Sequence, residues 1–187
     1  NRVQVMSHDG KMISKLGSEG SGDGQFNNPH GVAIDQEGHI IVADTYNHRV
    51  QVMSRDGKMI SKLGSQGSGD GQFKCPQGVA IDHEGHIVVA DTHNHRVQVM
   101  SRDGKMISKL GSEGSGDGQF KCPQGVAIDH EGHIIVADTG NNRVQVMSRN
   151  GTMVSKLGSE GSGDGQFSGP VGVAIDQEGH IIVVDHY

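Results

Sequence analysis

Four aspartates, Asp44, Asp91, Asp138 and Asp185, recur at a fixed interval, and the first three are each followed five residues later by an arginine, Arg49, Arg96 and Arg143. A carboxylate beside a guanidinium can orient an acidic substrate, take part in proton transfer, or brace two strands. Catalysis rarely needs the same pair four times, so the repetition favours bracing. On that reading Asp185 should meet Arg2, the remaining arginine of the series. Twelve histidines raise a second chemistry. His39, His86, His133 and His180 form a fourfold set that could hold a transition metal if the imidazoles converged. They fall in turns that face solvent, without a distinctive Asp, Glu or Cys partner set. Neither a metal nor an organic cofactor is therefore expected.

The glycine-rich stretch Gly17–Gly24 and its three counterparts could suggest a phosphate cradle. A P-loop needs a following Lys-Ser/Thr and a helix, and an EF-hand loop needs alternating acids with a terminal Glu; both are missing. The stretch reads instead as a crossing between sheets, with glycine supplying positive φ and Phe26 anchoring the loop. Cys75 and Cys122 occupy equivalent points one repeat apart, farther than a disulfide spans. Free thiols suit a reducing, cytoplasmic compartment, and the Asn150-Gly151-Thr152 sequon matters only in a secreted protein. No group of nucleophile, base and stabiliser occurs once only, so an enzyme is not expected.

What positions these residues is a repeat. RVQVMS begins at Arg2, Arg49, Arg96 and Arg143, a period of 47 residues. Segments 49–95 and 96–142 differ only at Gln66/Glu113, Val88/Ile135, His93/Gly140 and His95/Asn142. Such near-identity implies recent amplification or design. Each period reads as four short strands. GVAID and HIIVAD flank a tight Gln36-Glu37-Gly38 turn, and RVQVMS and KMISKLG flank an Asp56-Gly57 turn. HIIVAD is almost wholly apolar, as for a strand covered on both faces. RVQVMS alternates, with Val50 and Val52 on one face, and KMISKLG suits an exposed edge. Four antiparallel strands per 40–50 residues is the signature of a β-propeller blade. The fold class is therefore all-β, a propeller of four-stranded antiparallel blades, and the absence of tryptophan excludes the WD40 type.

Composition agrees. The chain has 187 residues, 33% of them apolar, with 30 glycines and a net charge of −6. It is long enough for a substantial core. The acidic balance gives no general attraction to nucleic acid or an anionic membrane, and no apolar run is long enough to span a bilayer.

The motifs P-x-G-V-A-I-D, G-H-I-I-V-A-D-T-x-N-x-R-V-Q-V and G-S-G-D-G-Q-F resemble the NHL repeat over essentially the whole chain. His39 stands where that family usually has Asn. The resemblance implies a propeller that acts as a recognition platform, as in TRIM-NHL-like proteins, where protein, peptide or RNA is bound beside separate catalytic modules. Some related propellers carry a lyase or hydrolase site on the axis, but no such residues carry over here.

Three blades, 31–64, 78–111 and 125–158, are complete. A fourth must combine residues 172–187 with residues 2–17, a composite blade that ties the ring shut. It can form within one chain, giving four blades, or between two chains, giving an eight-bladed homodimer. Four blades must each turn about 90°, eight only about 45°, so geometry favours the dimer. The chain also reads as an excerpt of a longer array.

The repeats differ from one another at Tyr46, His93, Gly140 and Tyr187; at His48, His95, Asn142 and Asn1; and at His30, Gln77, Gln124 and Val171. These positions lie in the second–third strand loops and the crossings, which open on one face. Tyr46, His93, Tyr187, His48, His95, His30, Gln77 and Gln124 therefore form the candidate binding surface, since recognition residues sit on loops of a rigid scaffold. Neutral drift would leave the same pattern. A non-catalytic scaffold for protein or peptide is the leading expectation. A symmetric propeller with no selected ligand comes next, and RNA binding is disfavoured by the acidic loops.

Overall fold

Alternating apolar runs separated by Asp-Gly and Glu-Gly turns build sixteen strands, and the computed structural model describes residues 1–186 of the chain. Strands β1 (Val3–Met6) and β2 (Met12–Leu16) form a hairpin. Then β3 (Pro29–Ile34), β4 (Ile40–Asp44), β5 (Arg49–Met53) and β6 (Met59–Leu63) make the first complete blade. Strands β7 (Val79–Ile81), β8 (Ile87–Asp91), β9 (Arg96–Met100) and β10 (Met106–Leu110) make the second, and β11 (Val126–Ile128), β12 (Ile134–Asp138), β13 (Arg143–Met147) and β14 (Met153–Leu157) the third. A second hairpin, β15 (Pro170–Ile175) with β16 (Ile181–Asp185), follows. Every pairing between these strands is antiparallel, isolated parallel bridges such as Glu19–Phe26 lie in the crossings, and the only helical elements among the described residues are the three-residue 3-10 turns Thr45–Asn47, Thr92–Asn94 and Thr139–Asn141.

The core lies between successive blades. Ile41, Val50, Val52 and Leu63 of the first pack on Phe73, Ile87, Val89 and Met100 of the second, and the joint between the second and third repeats this. Strand β4 is buried along its whole length, as its continuous apolar sequence requires. Strand β5 departs from the expected alternation. All five of its residues are buried, because Arg49 and Gln51 face the neighbouring crossing loop instead of water.

The hairpins β1–β2 and β15–β16 remain separate two-stranded sheets, so the four repeats describe an arc and not a ring closed within the chain. Asp185 accepts the Ser168 N–H at 2.9 Å, and Arg2 forms no ion pair with it. Of the two ways of closing the composite blade, the one within a single chain is not the state described here. Two strands of each half-blade cannot replace the two that are absent, and their apolar faces stay partly open.

Candidate functional site

The repeated aspartate–arginine pairs sit at the end of the β4–β5 hairpin and its equivalents, where register places Asp44 opposite Arg49, Asp91 opposite Arg96 and Asp138 opposite Arg143. Their separations are 2.7–2.8 Å, and the carboxylates are fully buried. Asp91 also accepts the Lys74 N–H, the Asn94 side-chain amide and the Gln98 side-chain amide. Arg96 spends its remaining donors on the carbonyls of Ser68, Gly69 and Gln72 in the glycine-rich crossing. Among the described residues no buried side-chain nitrogen or oxygen is without a hydrogen-bond partner. Such a network fixes the crossing to the blade and leaves no group free for a substrate. Phe26, Phe73 and Phe120, all completely buried, anchor the same loops.

The variable positions divide into two kinds. His48 has a left-handed backbone (φ 52°) and its Nδ1 accepts the Cys75 N–H of the next blade at 3.0 Å. His95 does the same for Cys122, and Asn142 Oδ1 for Gly169. Asn1 Oδ1 likewise accepts the Asn28 N–H. Histidine and asparagine alternate here because both tolerate the left-handed region and both present an acceptor at this reach. His48 and His95, expected in the binding surface, are thus committed at Nδ1 to joints between blades. No reading of sequence alone separates that use from an exposed loop histidine.

Tyr46 and His93 are exposed, and their backbone N–H groups bond the crossing at Asn27 and Lys74, which puts the second–third strand loops and the crossings on one face. Tyr187 lies outside the described residues. His30, Gln77 and Gln124 gather nearer the axis, around an open cavity of about 590 Å³. Its wall is apolar, built from Val32, Val79, Val126 and Val173, with Gly31, Gly78, Gly125 and Gly172 between them. These glycines allow the innermost strands to touch: the Gly31 N–H donates to Gln77 O at 2.9 Å, and a Cβ on Gly78 would lie 2.2 Å from Gln124 O. Only glycine fits such a backbone approach.

The opposite face carries the fourfold histidines. Three of them do not stand free in solvent as the sequence suggested, while His180 stays about two-thirds exposed with Nδ1 2.8 Å from Asp176. His39, His86 and His133 place Nδ1 2.8–2.9 Å from Asp35, Asp82 and Asp129 and are about three-quarters buried. Arg102 of the second blade reaches back to Asp35 and Glu37 of the first, and Arg149 reaches Asp82 and Glu84. Burial pushes the Asp35 carboxyl up, but bonds from His39 and the charge of Arg102 outweigh it and hold the group below its ordinary range. Among the described residues no three His, Cys, Asp or Glu side chains form a group that could hold a metal ion. Cys75 and Cys122 are free thiols, and burial pushes both up. No helix among the described residues is long and apolar enough to cross a membrane.

This architecture defines a β-propeller built from four-stranded antiparallel blades. The family model for the NHL repeat matches residues 26–53, 73–100 and 120–147, and the chain accordingly carries NHL repeats. Among curated proteins it is similar to the E3 ubiquitin-protein ligase TRIM71 of Rattus norvegicus, 50% identical over 40 residues, which is 21% of this chain and 5% of that protein. Protein lin-41 of Caenorhabditis elegans is 51% identical over 37 residues, 20% of this chain and 3% of that protein. The chain thus matches only a small part of either relative. Among solved structures, a Bacteroides caccae protein superposes with a TM-score of 0.67 at 17% identity, over 99% of this chain and 61% of the other. A catalytically inactive virginiamycin B lyase from Staphylococcus aureus with quinupristin gives 0.67 at 15% identity, over 100% and 63%. At these identities the likeness is one of fold.

Proposed function

We propose that the chain is a non-catalytic interaction scaffold that takes a protein or peptide segment on the face shared by the second–third strand loops and the blade crossings. The observation that carries this reading is the mouth of the axial cavity. There His30, Gln77 and Gln124 stand over an apolar wall of valines at positions where the repeats differ, while the repeated charged pairs are consumed in bracing the blades. An apolar cleft with a few convergent polar groups is the usual form of a recognition site. Tyr46 and His93 extend it outward. Among the described residues the cavity wall holds no unique acid–base pair, which supports a binding role over the lyase chemistry named for one structural neighbour. A second copy of the chain is a partner of another kind, at the ends of the arc and not at this mouth.

Selection of a random displayed-peptide pool on the immobilised chain tests the reading, with the triple variant His30→Ala/Gln77→Ala/Gln124→Ala as counter-target. Enriched peptides that bind the variant at least tenfold more weakly, at unchanged melting temperature, are the expected outcome. A pool that never enriches, or binds the variant equally, defeats it. An oligonucleotide pool run in parallel would instead reveal RNA binding through a steep loss of affinity with salt.

A further inference from the structure

The contacts between blades recur in register and stop at both ends of the arc. Lys62, Lys109 and Lys156 hold Asp23, Asp70 and Asp117 at 2.7–2.8 Å, whereas Lys15 and Asp164 pair with nothing among the described residues. Gly24, Gly71 and Gly118 donate their N–H groups to Gln51, Gln98 and Gln145; Gly165 and Gln4, at the same places in the period, have no such bond. Arg102 and Arg149 clamp acids of the preceding blade, and Arg55 has none to clamp while Asp176 and Glu178 lack an arginine. Burial tells the same story. Leu16, Leu63 and Leu110, with the turns at Gly57, Gly104 and Gly151 over them, are 2–4% exposed, and Leu157 is 39% exposed. Val79 and Val126 are 6–8% exposed, and Val32 is 56% exposed.

What one end lacks, the other end displays. We propose that a second copy of this 187-residue chain closes the arc: β16 of one copy pairs with β1 of the other in the register of the complete blades, and two such joints make an eight-bladed ring. Ile181 then faces Met6 of the second copy and Asp185 faces Arg2, as Ile40 faces Met53 and Asp44 faces Arg49 inside a blade. Lys15 of the second copy reaches Asp164, its Gln4 accepts from Gly165, and its Arg55 clamps Asp176 and Glu178. The open backbone edges of β1 and β16, each a template for another strand, disappear. The chain's own far end does not supply this partner: β1–β2 and β15–β16 stay separate two-stranded sheets, and four repeats closed on themselves would each turn about 90°, against about 45° in a ring of eight.

The test is mass and trans-complementation of the purified chain at micromolar concentration. The expected mass is twice the 19.8 kDa of the chain. The single variants Arg2→Asp and Asp185→Arg each put like charges at both joints, and each should dissociate at least tenfold more readily. Mixed one to one, they restore opposite charges at one joint and leave the other native, so a dimer of near wild-type affinity should return. Lys15→Glu mixed with Asp164→Lys repeats the experiment at an exposed edge should the first pair fail to fold. A monomeric wild type, open-ended larger species, or single variants that dimerise as well as the wild type would each overturn the proposal. Recovery in a mixture is beyond the reach of closure within one chain, and it does not depend on whether the mouth binds peptide.

Discussion

A histidine in a propeller loop invites a ligand, yet His48 and His95 do work that asparagine does elsewhere in the same chain. Asn142 and Asn1 supply the equivalent acceptor, and His48, His95 and Asn142 all share a left-handed backbone. His48→Asn should accordingly change stability by less than about 0.5 kcal/mol. His48→Ala loses the bond and places a residue without a polar side chain at positive φ, at a cost of about 1–2 kcal/mol. In a domain of this size that is a fall in melting temperature of roughly 2–8 °C. Thermal unfolding followed by circular dichroism decides it, and equal losses for both variants would contradict the shared role.

At the scale of strands, the innermost ladder is where the blades come closest. Gly31, Gly78 and Gly125 each abut backbone of the next blade, and backbone cannot step aside as a side chain can. Gly78→Ala should therefore cost about 1–3 kcal/mol by overpacking, without touching any charged pair. Gly172 is the informative contrast. In the open arc a Cβ there meets only Val184 of its own hairpin, at 3.5 Å, so Gly172→Ala is mild if the arc stays open. It becomes as costly as Gly78→Ala once another inner strand lies against it, and chemical denaturation of the two variants side by side separates these states. Strand existence and order were legible in the sequence because Asp-Gly and Glu-Gly turns recur between apolar runs. Burial of Gln51 along β5 was not legible, since its partner carbonyl at Gln25 lies 26 residues away and belongs to the crossing.

For the whole molecule, charge links the blades. Asp35, Asp82 and Asp129 all sit below their ordinary range: burial pushes each carboxyl up, but bonds from the histidine four residues on outweigh it, and Arg102 adds its charge at Asp35. A carboxyl whose pKa is lower folded than unfolded stabilises the fold above its unfolded value, near 3.9, and that contribution is lost as pH falls through the folded value. The melting temperature should therefore drop as pH is taken below about 4. Arg102→Gln should make the drop shallower by releasing Asp35 and Glu37. A melting curve indifferent to pH between 4 and 2 would show that these pairs contribute nothing to the joints.

By itself the sequence determined the repeat and the four-stranded blade, because period and turn chemistry act over a few residues and one miscounted position would turn apolar faces to water. It also located the face on which the repeats differ. The tertiary structure alone decided that His48 and His95 join blades, that an arginine from the next blade covers His39 and His86, and that His30, Gln77 and Gln124 gather at one mouth. It also decided that four repeats leave the arc open. Each of these depends on the angle between successive blades, a small rotation set by packing across the whole face of a sheet, and no local spacing of residues encodes it.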